Sequence, residues 1–291
     1  MEIFAGIVTY NPDFDRLKKS LEVLVARKNS GLVHIAQIVV VDNGTEDIRT
    51  LRNVCSIDLC IVLIENGENL GIAAALDRMC GYSYEQDCKW LLTLDDDSVI
   101  SENLPELYMQ ALDNAQDSSV AMVCGLVNEA HYGNMYYNPD CKETYQFVEH
   151  TITSGSLMNL EIWKKVGGFD DSLFIDGVDF DYCLNLKKHG YRILRNNQAV
   201  LHHELGNGRP VNFMGRKVIV LNHSPQRLYY IARNYWYLGA KYNMKKYWHR
   251  AVFNRMLLVL LYEKNRLAKL RAMFLGISHS KKHIFGKQMV K

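Results

Sequence analysis

The 291-residue chain has no run of eighteen apolar residues, so no membrane-spanning helix is expected. Its first residues, Met1-Glu2-Ile3-Phe4-Ala5-Gly6-Ile7-Val8, lack a basic segment ahead of a long apolar one. They read as a first β-strand and not as a secretory signal. The seven cysteines (Cys55, Cys60, Cys80, Cys88, Cys124, Cys141, Cys183) are odd in number, and no two stand in Cys-x-x-Cys spacing. A disulfide framework or zinc site is disfavoured, and small buried thiols in a reducing compartment are expected. No Gly-x-Gly-x-x-Gly follows the first strand, where Thr9-Tyr10-Asn11-Pro12 stands instead. That counts against a dinucleotide-dependent oxidoreductase. Internal repeats and low-complexity tracts are absent as well. Acidic residues nearly vanish from Lys241 to Lys291: thirteen Lys or Arg face one acid, Glu263, a net +12 in a chain that totals +2, so the remainder carries −10.

What is present is a large apolar fraction, 48%, arranged as short strands separated by helical periodicity. Ile3–Val8, Gln37–Asp42, Cys60–Ile64, Trp90–Asp95 and Ala121–Val127 read as strands. Leu17, Leu21, Leu24 and Val25 repeat at helical spacing, and Ile72–Met79 is an alanine-rich helix. Strands alternating with helices predict an α/β domain with a mostly parallel sheet covered on both faces. Further on, 131–149 is polar and tyrosine-rich and reads as loops or short antiparallel strands. Helices are expected at Leu160–Val166, Asp179–His189 and Leu228–Tyr242, and strands at Tyr191–Leu194 and Ala199–His202. Trp248–Phe274 reads as one long amphipathic pattern with apolar pairs four residues apart. The expected division is a catalytic domain over 1–240 and a basic helical segment over 241–291.

This order puts Thr9, Asp42 and Asp95 at the carboxyl ends of strands, where open α/β sheets bind ligands. The run Asp95-Asp96-Asp97 places three carboxylates together directly after an apolar strand. Their mutual repulsion raises proton affinity unless a cation sits among them, and hard oxygen ligands suit Mg²⁺ or Mn²⁺. A solvated acidic turn that caps the next helix through Asp97 or Ser98 explains the run equally well. A second acidic group, Asp176, Asp179 and Asp181, opens a helix. The helix dipole alone accounts for it, and a general base is the functional alternative. His202 and His203 close a predicted strand, as metal ligand or as hydrogen-bonded loop residue.

The ordered set Ile7-Val8-Thr9-Tyr10-Asn11, Val41-Asp42-Asn43-Gly44, Asn69-Leu70-Gly71 and Leu94-Asp95-Asp96-Asp97-Ser98 resembles family 2 of the inverting glycosyltransferases, which have the GT-A fold. Later pieces extend the resemblance to bacterial rhamnosyltransferases that use dTDP-L-rhamnose for surface polysaccharides: Thr153-Ser154-Gly155-Ser156, Gly167-Gly168-Phe169-Asp170, the 174–179 stretch, His203-Glu204-Leu205-Gly206 and Tyr229-Tyr230-Ile231-Ala232-Arg233-Asn234. The resemblance implies that Thr9 and Tyr10 line a nucleotide pocket and that Asp42 accepts from the pyrimidine. It implies that Asn69 and Gly71 approach the donor, that Asp95 contacts ribose or sugar, and that Asp96 lies beside the donor. Asp97 and His203 would hold the metal, and Asp179 would be the base, with Asp181 its rival. Three departures stand out. Val178 replaces the acid of the usual Glu-Asp pair, as the rhamnosyltransferases tolerate. Asp181 adds a second acid two residues on. Asp96 makes a triple where that subset often has Gln.

The implied activity is transfer of a sugar, best matched by L-rhamnose from a dTDP-sugar, to a lipid-linked carbohydrate acceptor at the inner face of the cell membrane. A galactofuranosyl or hexosyl transferase using a UDP-sugar is the alternative, and a non-catalytic nucleotide-sugar-binding membrane scaffold is the alternative of another class. The basic tail, with Tyr247, Trp248, Tyr262 and Phe274, is expected to meet an anionic membrane surface. A packed helical subdomain or a homo-oligomer interface is the rival reading of the same segment. No nucleic-acid motif accompanies the charge, so no nucleic-acid partner is expected.

Overall fold

The computed structural model describes the chain except residues 1, 29–31, 99, 102, 130–132, 135–142, 204–207, 214 and 291; at 128, 129, 133, 134, 202, 203, 213, 216 and 217 it describes the backbone alone. Two compact units result, Met1–Phe169 with Tyr182–Glu204, and Asp170–Asp181 with Leu205–Lys291.

The first unit runs β1 (Glu2–Thr9), α1 (Phe14–Ala26), β2 (His34–Asp42), α2 (Ile48–Cys55), β3 (Ile61–Glu65), α3 (Ile72–Glu85), β4 (Trp90–Asp95), α4 (Leu104–Ala115) and β5 (Val120–Glu129). It continues through β6 (Gly133–Asn134), β7 (Tyr145–Val148), β8 (Ser156–Asn159) and α5 (Leu160–Val166); after α6 (Val178–Lys188), through which the division between units passes, comes β9 (Arg192–His203). One sheet holds these strands in the order β3-β2-β1-β4-β8-β5-β9-β7, with β6 on β5. Pairings among β1 to β4 are parallel, β8 lies antiparallel between β4 and β5, and β9 is parallel to β5. The expected mostly parallel sheet is present.

Sequence spacing explains the layers. In α1, Leu17, Leu21 and Leu24 fall on one face and are buried, and the Asp13 carboxylate caps the helix by accepting from the amides of Asp15 and Arg16 at 3.1 and 3.0 Å. Each buried leucine contributes about 1.5–3 kcal/mol relative to exposure. At Gly6 of β1, a Cβ would lie 2.1 Å from Sδ of Met79, so the absence of a side chain there lets α3 seat directly on the sheet. Cys55, Cys60, Cys80, Cys88, Cys124 and Cys183 are free and buried, as the composition suggests; Cys141 lies outside the described residues.

Two local expectations need correction. The separate strands at Tyr191–Leu194 and Ala199–His202 are one strand, β9. Its polar middle, Arg195-Asn196-Asn197-Gln198, sits at a register shift against β5. Asn196 is buried there, accepting from the Gln198 amide at 2.9 Å and donating to the Leu107 carbonyl at 2.8 Å, so polarity that suggests a loop is satisfied inside the sheet. β8 falls between 149 and 160, where the sequence pattern assigns no element, because four buried residues show no alternation. The long Trp248–Phe274 pattern is two helices.

The second unit contains a 3-10 turn (Asp171–Leu173), the hairpin β10 (Arg209–Phe213) and β11 (Arg216–Val220), and helices α7 (Pro225–Lys241), α8 (Lys245–Tyr262) and α9 (Arg266–Lys281). The break between α8 and α9 falls at Glu263, whose buried carboxylate pairs with Lys269 at 2.8 Å and Arg255 at 3.1 Å, and at Asn265, which adopts φ 52°. Leu228, Ile231 and Ala232 of α7 pack with Val252 and Val259 of α8 and Met273 of α9. At Gly276 a Cβ would stand 2.4 Å from the Tyr229 carbonyl oxygen, which sets how closely α9 meets α7. Among the described residues no helix is long and apolar enough to cross a membrane.

Candidate functional site

In the first unit the parallel register brings the sequence-selected residues level. Thr9 pairs with Asp42 across β1 and β2, and Val8 pairs with Asp95 across β1 and β4. Thr9 is fully buried, and its hydroxyl lies 3.4 Å from Oδ1 of Asp42; Tyr10 beside it is exposed. The buried Asp42 carboxylate accepts from the amides of Gly44 (3.0 Å) and Thr45 (3.1 and 3.2 Å). It therefore organises the turn after β2.

The next residue, Asn43, organises a second loop. Its Oδ1 accepts from the Leu70 amide at 3.0 Å and from Asn66 at 3.1 Å, and its Nδ2 donates to Asn69 Oδ1 and the Gly71 carbonyl, both at 3.2 Å. Asn69 Oδ1 in turn receives the Gly71 amide at 3.0 Å. Gly71 has φ 92°, a left-handed value that favours glycine, and leads into α3 without any side-chain cap on the first turn. The amides opening α3 thus start beside the loop that carries Asn69.

The acidic run forms the turn after β4, with the Ser98 amide closing on the Asp95 carbonyl at 3.1 Å. The Asp95 amide donates to Ser154 Oγ at 3.0 Å, and Ser98 Oγ lies 2.8 Å from the same oxygen. Thr93 and Gly155 brace the strand end, the Gly155 amide donating to the Thr93 carbonyl at 2.7 Å. Nη2 of Arg16 donates to the Asp97 carbonyl at 2.6 Å. Asp97 Oδ1 is buried and has no hydrogen-bond partner. Burial, and then the charge of Asp97, push the Asp96 carboxyl up to about 6.

An orphaned carboxylate oxygen beside a carboxyl that resists ionisation is costly without a counter-charge. The oxygen-only donor set fits a hard divalent cation, which is commonly held by one or two carboxylates plus phosphate oxygens. Among the described residues no three His, Cys, Asp or Glu gather as a metal cluster. His203 ends β9, and its side chain lies outside the described residues, as do Glu204, Leu205 and Gly206.

The sequence and the fold match known proteins. The sequence profile of glycosyl transferase family 2 covers residues 5–159. The chain belongs to glycosyltransferase family 2. It is 30% identical to the dTDP-rhamnosyl transferase RfbF of Shigella flexneri over 254 residues, covering 82% of this chain and 80% of that protein. Its fold resembles Staphylococcus aureus TarS 1-349 (TM-score 0.58, 14% identity, 98% and 83% of the two chains). It also resembles the mannosyltransferase PcManGT of Pyrobaculum calidifontis in complex with GDP-Man and Mn²⁺ (0.55, 13%, 96% and 75%). A third likeness is GalNAc-T7 with UDP, GalNAc and Mn²⁺ (0.58, 13%), where 80% of this glycosyltransferase spans only 48% of the other chain. The expected GT-A architecture with C-terminal helices is thereby established.

In the second unit, Asp176, Asp179 and Asp181 occupy three different settings. Asp176 has φ 63°; its Oδ1 accepts from Nε and Nη2 of Arg227, both at 3.2 Å, and its Oδ2 is buried without a partner. Burial raises its carboxyl above the usual range against the pull of Arg227, and the charge of Asp179 adds to the rise. Asp179 stands half-buried in the first turn of α6. Asp181 is buried, ion-paired to Lys241 at 2.7 Å and hydrogen-bonded by the Tyr242 hydroxyl at 2.9 Å. Those bonds make Asp181 a member of a buried network. Sequence reading gave no role to Arg16, Asn43, Ser154 or Arg227; Asn43 and Ser154 carried a signal, as parts of the Val41–Gly44 and Thr153–Ser156 motifs.

Proposed function

We propose that this glycosyltransferase moves L-rhamnose from dTDP-β-L-rhamnose to a hydroxyl of a lipid-linked glycan, with inversion at the anomeric carbon and with Mg²⁺ or Mn²⁺. The observation that carries the metal-assisted part of this reading is the buried, unpartnered Oδ1 of Asp97 at the end of β4. The donor assignment is supported by the likeness to the Shigella protein over four-fifths of both chains.

In this reading each residue has a stated role. Thr9, Tyr10, Asn69 and Gly71 border the carboxyl ends of β1 and β2, where a nucleotide would lie. Asp42, in this reading, adds an acceptor for the pyrimidine N–H to its turn-forming bonds. Asp95 and Asp96 face ribose and diphosphate, and Asp97 with His203 would hold the cation. When bound, that cation supplies charge neutralisation for the departing diphosphate. Asp179 takes the proton of the attacking hydroxyl, a contribution of roughly 10²–10⁴-fold. Asp181 is disfavoured for that task because Lys241 and Tyr242 already engage its carboxylate.

The same reading places the enzyme on the cytoplasmic surface of an anionic membrane. Exposed Phe253, Leu260 and Leu261 of α8 and Leu267 and Phe274 of α9 stand among exposed Lys246, Arg250, Arg266 and Arg271. The one acid of that segment, Glu263, is buried in ion pairs, so the exposed charge is all positive. Each such cation adds about 1 kcal/mol near an anionic leaflet. A two-fold dimer through this patch would set like charges against each other.

The test is product formation from radiolabelled dTDP-L-rhamnose and a lipid-linked glycan extract, with UDP-galactose and UDP-glucose as rival donors. Transfer from the dTDP-sugar alone supports the assignment; transfer only from a UDP-sugar replaces it; donor binding without any turnover makes the chain a scaffold.

A further inference from the structure

Helix α7 places three polar side chains on one short turn, Ser172–Gly177, that leads into α6. Arg227 and Asn234 are seven residues apart, two helical turns, and share a face. Arg233 and Asn234 are both fully buried. Nδ2 of Asn234 lies 2.9, 2.8 and 2.7 Å from the carbonyl oxygens of Leu173, Ile175 and Asp176. Its Oδ1 accepts from Nε of Arg233 at 2.9 Å. Nη2 of Arg233 donates to the Leu173 carbonyl at 2.8 Å and the Ser172 carbonyl at 3.2 Å, while Nη1 donates to the Gly286 carbonyl at 2.7 Å. Arg227 grips the same turn from its exposed side through the Asp176 carboxylate.

The turn so held is a strained one. Phe174, Asp176 and Gly177 have φ of 65°, 63° and 84°, so two of three left-handed positions carry side chains. Such a backbone persists only where its surroundings over-determine it. A buried arginine is an expensive way to pack a helix, since apolar side chains of similar volume generally do as well or better. What this Arg-Asn pair supplies instead is a fixed set of donors, aimed at successive carbonyls of one turn. Phe174 is pinned too, stacked on Tyr230 with ring centroids 5.2 Å apart.

We propose that Arg227, Arg233 and Asn234 are positioning residues of the transfer reaction, holding the 172–177 turn so that α6 begins where the Asp179 carboxylate is oriented for proton removal. This rests on Asp179 being the base. It gives the Arg233-Asn234 end of the α7 motif a role that reaches the reaction through the backbone, without touching substrate.

The experiment compares Asn234→Ala, Arg233→Lys and Arg227→Gln with Asp179→Asn, in full-length protein turning over dTDP-L-rhamnose. Asn234→Ala is expected to keep the KM for donor and to lose ~10²-fold in kcat, the scale of a misplaced catalytic group. Arg233→Lys and Arg227→Gln are expected to lose less, and all three to shift the acid limb of the kcat–pH profile. Amides 173–179 should exchange with deuterium faster in Asn234→Ala than in the parent. If Asn234→Ala does not fold, Arg227→Gln, altered at a half-exposed side chain, decides together with Arg233→Lys. Wild-type kcat and pH profile in the folded variants, beside an inactive Asp179→Asn, would overturn the positioning role and leave the base assignment standing. Full activity in Asp179→Asn would overturn the base assignment, and the positioning role with it.

Discussion

Nη2 of Arg16, on the third residue of α1, donates to the main-chain carbonyl of Asp97, eighty-one residues further along, at 2.6 Å. The same Asp97 keeps one carboxylate oxygen buried and unpartnered. Arg16 thus fixes the backbone of the acidic turn while leaving its carboxylate for another ion. Replacing Arg16 by Gln should weaken Mn²⁺ binding in the presence of dTDP by ~10-fold, the usual cost of removing a group that orients a ligand. Titration calorimetry checks this; unchanged affinity would mean the turn holds its shape unaided.

Ser154 carries two contacts at the same turn, accepting from the Asp95 amide and meeting Ser98 Oγ. Ser154→Ala removes the hydroxyl that accepts from the part-buried Asp95 amide and should cost about 1–3 kcal/mol of stability. The loss should appear as a lower urea midpoint and should come with reduced turnover. A neutral variant would show that water replaces the hydroxyl.

Asp96 gives a pH dependence with a definite sign. Its carboxyl is raised from 3.8 in the unfolded chain to about 6 in the fold. Its contribution to the metal-free protein is present below pH 3.8 and lost as pH rises through about 6. A bound divalent cation reverses this preference by favouring the ionised form, so thermal stabilisation by Mn²⁺ with dTDP should grow across the same interval. Asp96→Asn should flatten that growth. Stabilisation independent of pH there would remove Asp96 from the neighbourhood of the cation.

His223 titrates in the opposite sense. Burial, and then the charges of Arg227, Arg255 and Lys269, push it down from 6.5 to about 4. Stability it contributes is present above pH 6.5 and is lost as pH falls toward 4. His223→Asn should lessen acid destabilisation in that window, measured as melting temperature against pH. An unchanged acid limb would show that His223 titrates normally.

The sheet was legible because apolar strands of five to ten residues alternate with helical periodicity, and because Thr9, Asp42 and Asp95 each end such a run. Trp90–Asp95 and Leu160–Val166 match the observed bounds residue for residue. β8 was hidden because burial on both faces leaves no alternation to read. The α8–α9 break was hidden because Glu263 looks like a surface residue until Lys269 and Arg255 are seen around it. Partners such as Arg16 for Asp97 are joined only by the fold, and no local pattern marks them. The clamp residues Arg233 and Asn234 were visible as a motif, but their target, a run of main-chain carbonyls, has no sequence signature.

In the proposed reaction Asp97 would hold a divalent cation beside the diphosphate of the donor. The most direct measurement is Mn²⁺ binding with and without dTDP, by electron paramagnetic resonance, in the parent and in Asp97→Asn. Mn²⁺ binding should be strengthened by dTDP in the parent and lost in an Asp97→Asn variant whose circular dichroism is unchanged. Equal Mn²⁺ binding by the two proteins, or turnover that survives EDTA, would contradict it.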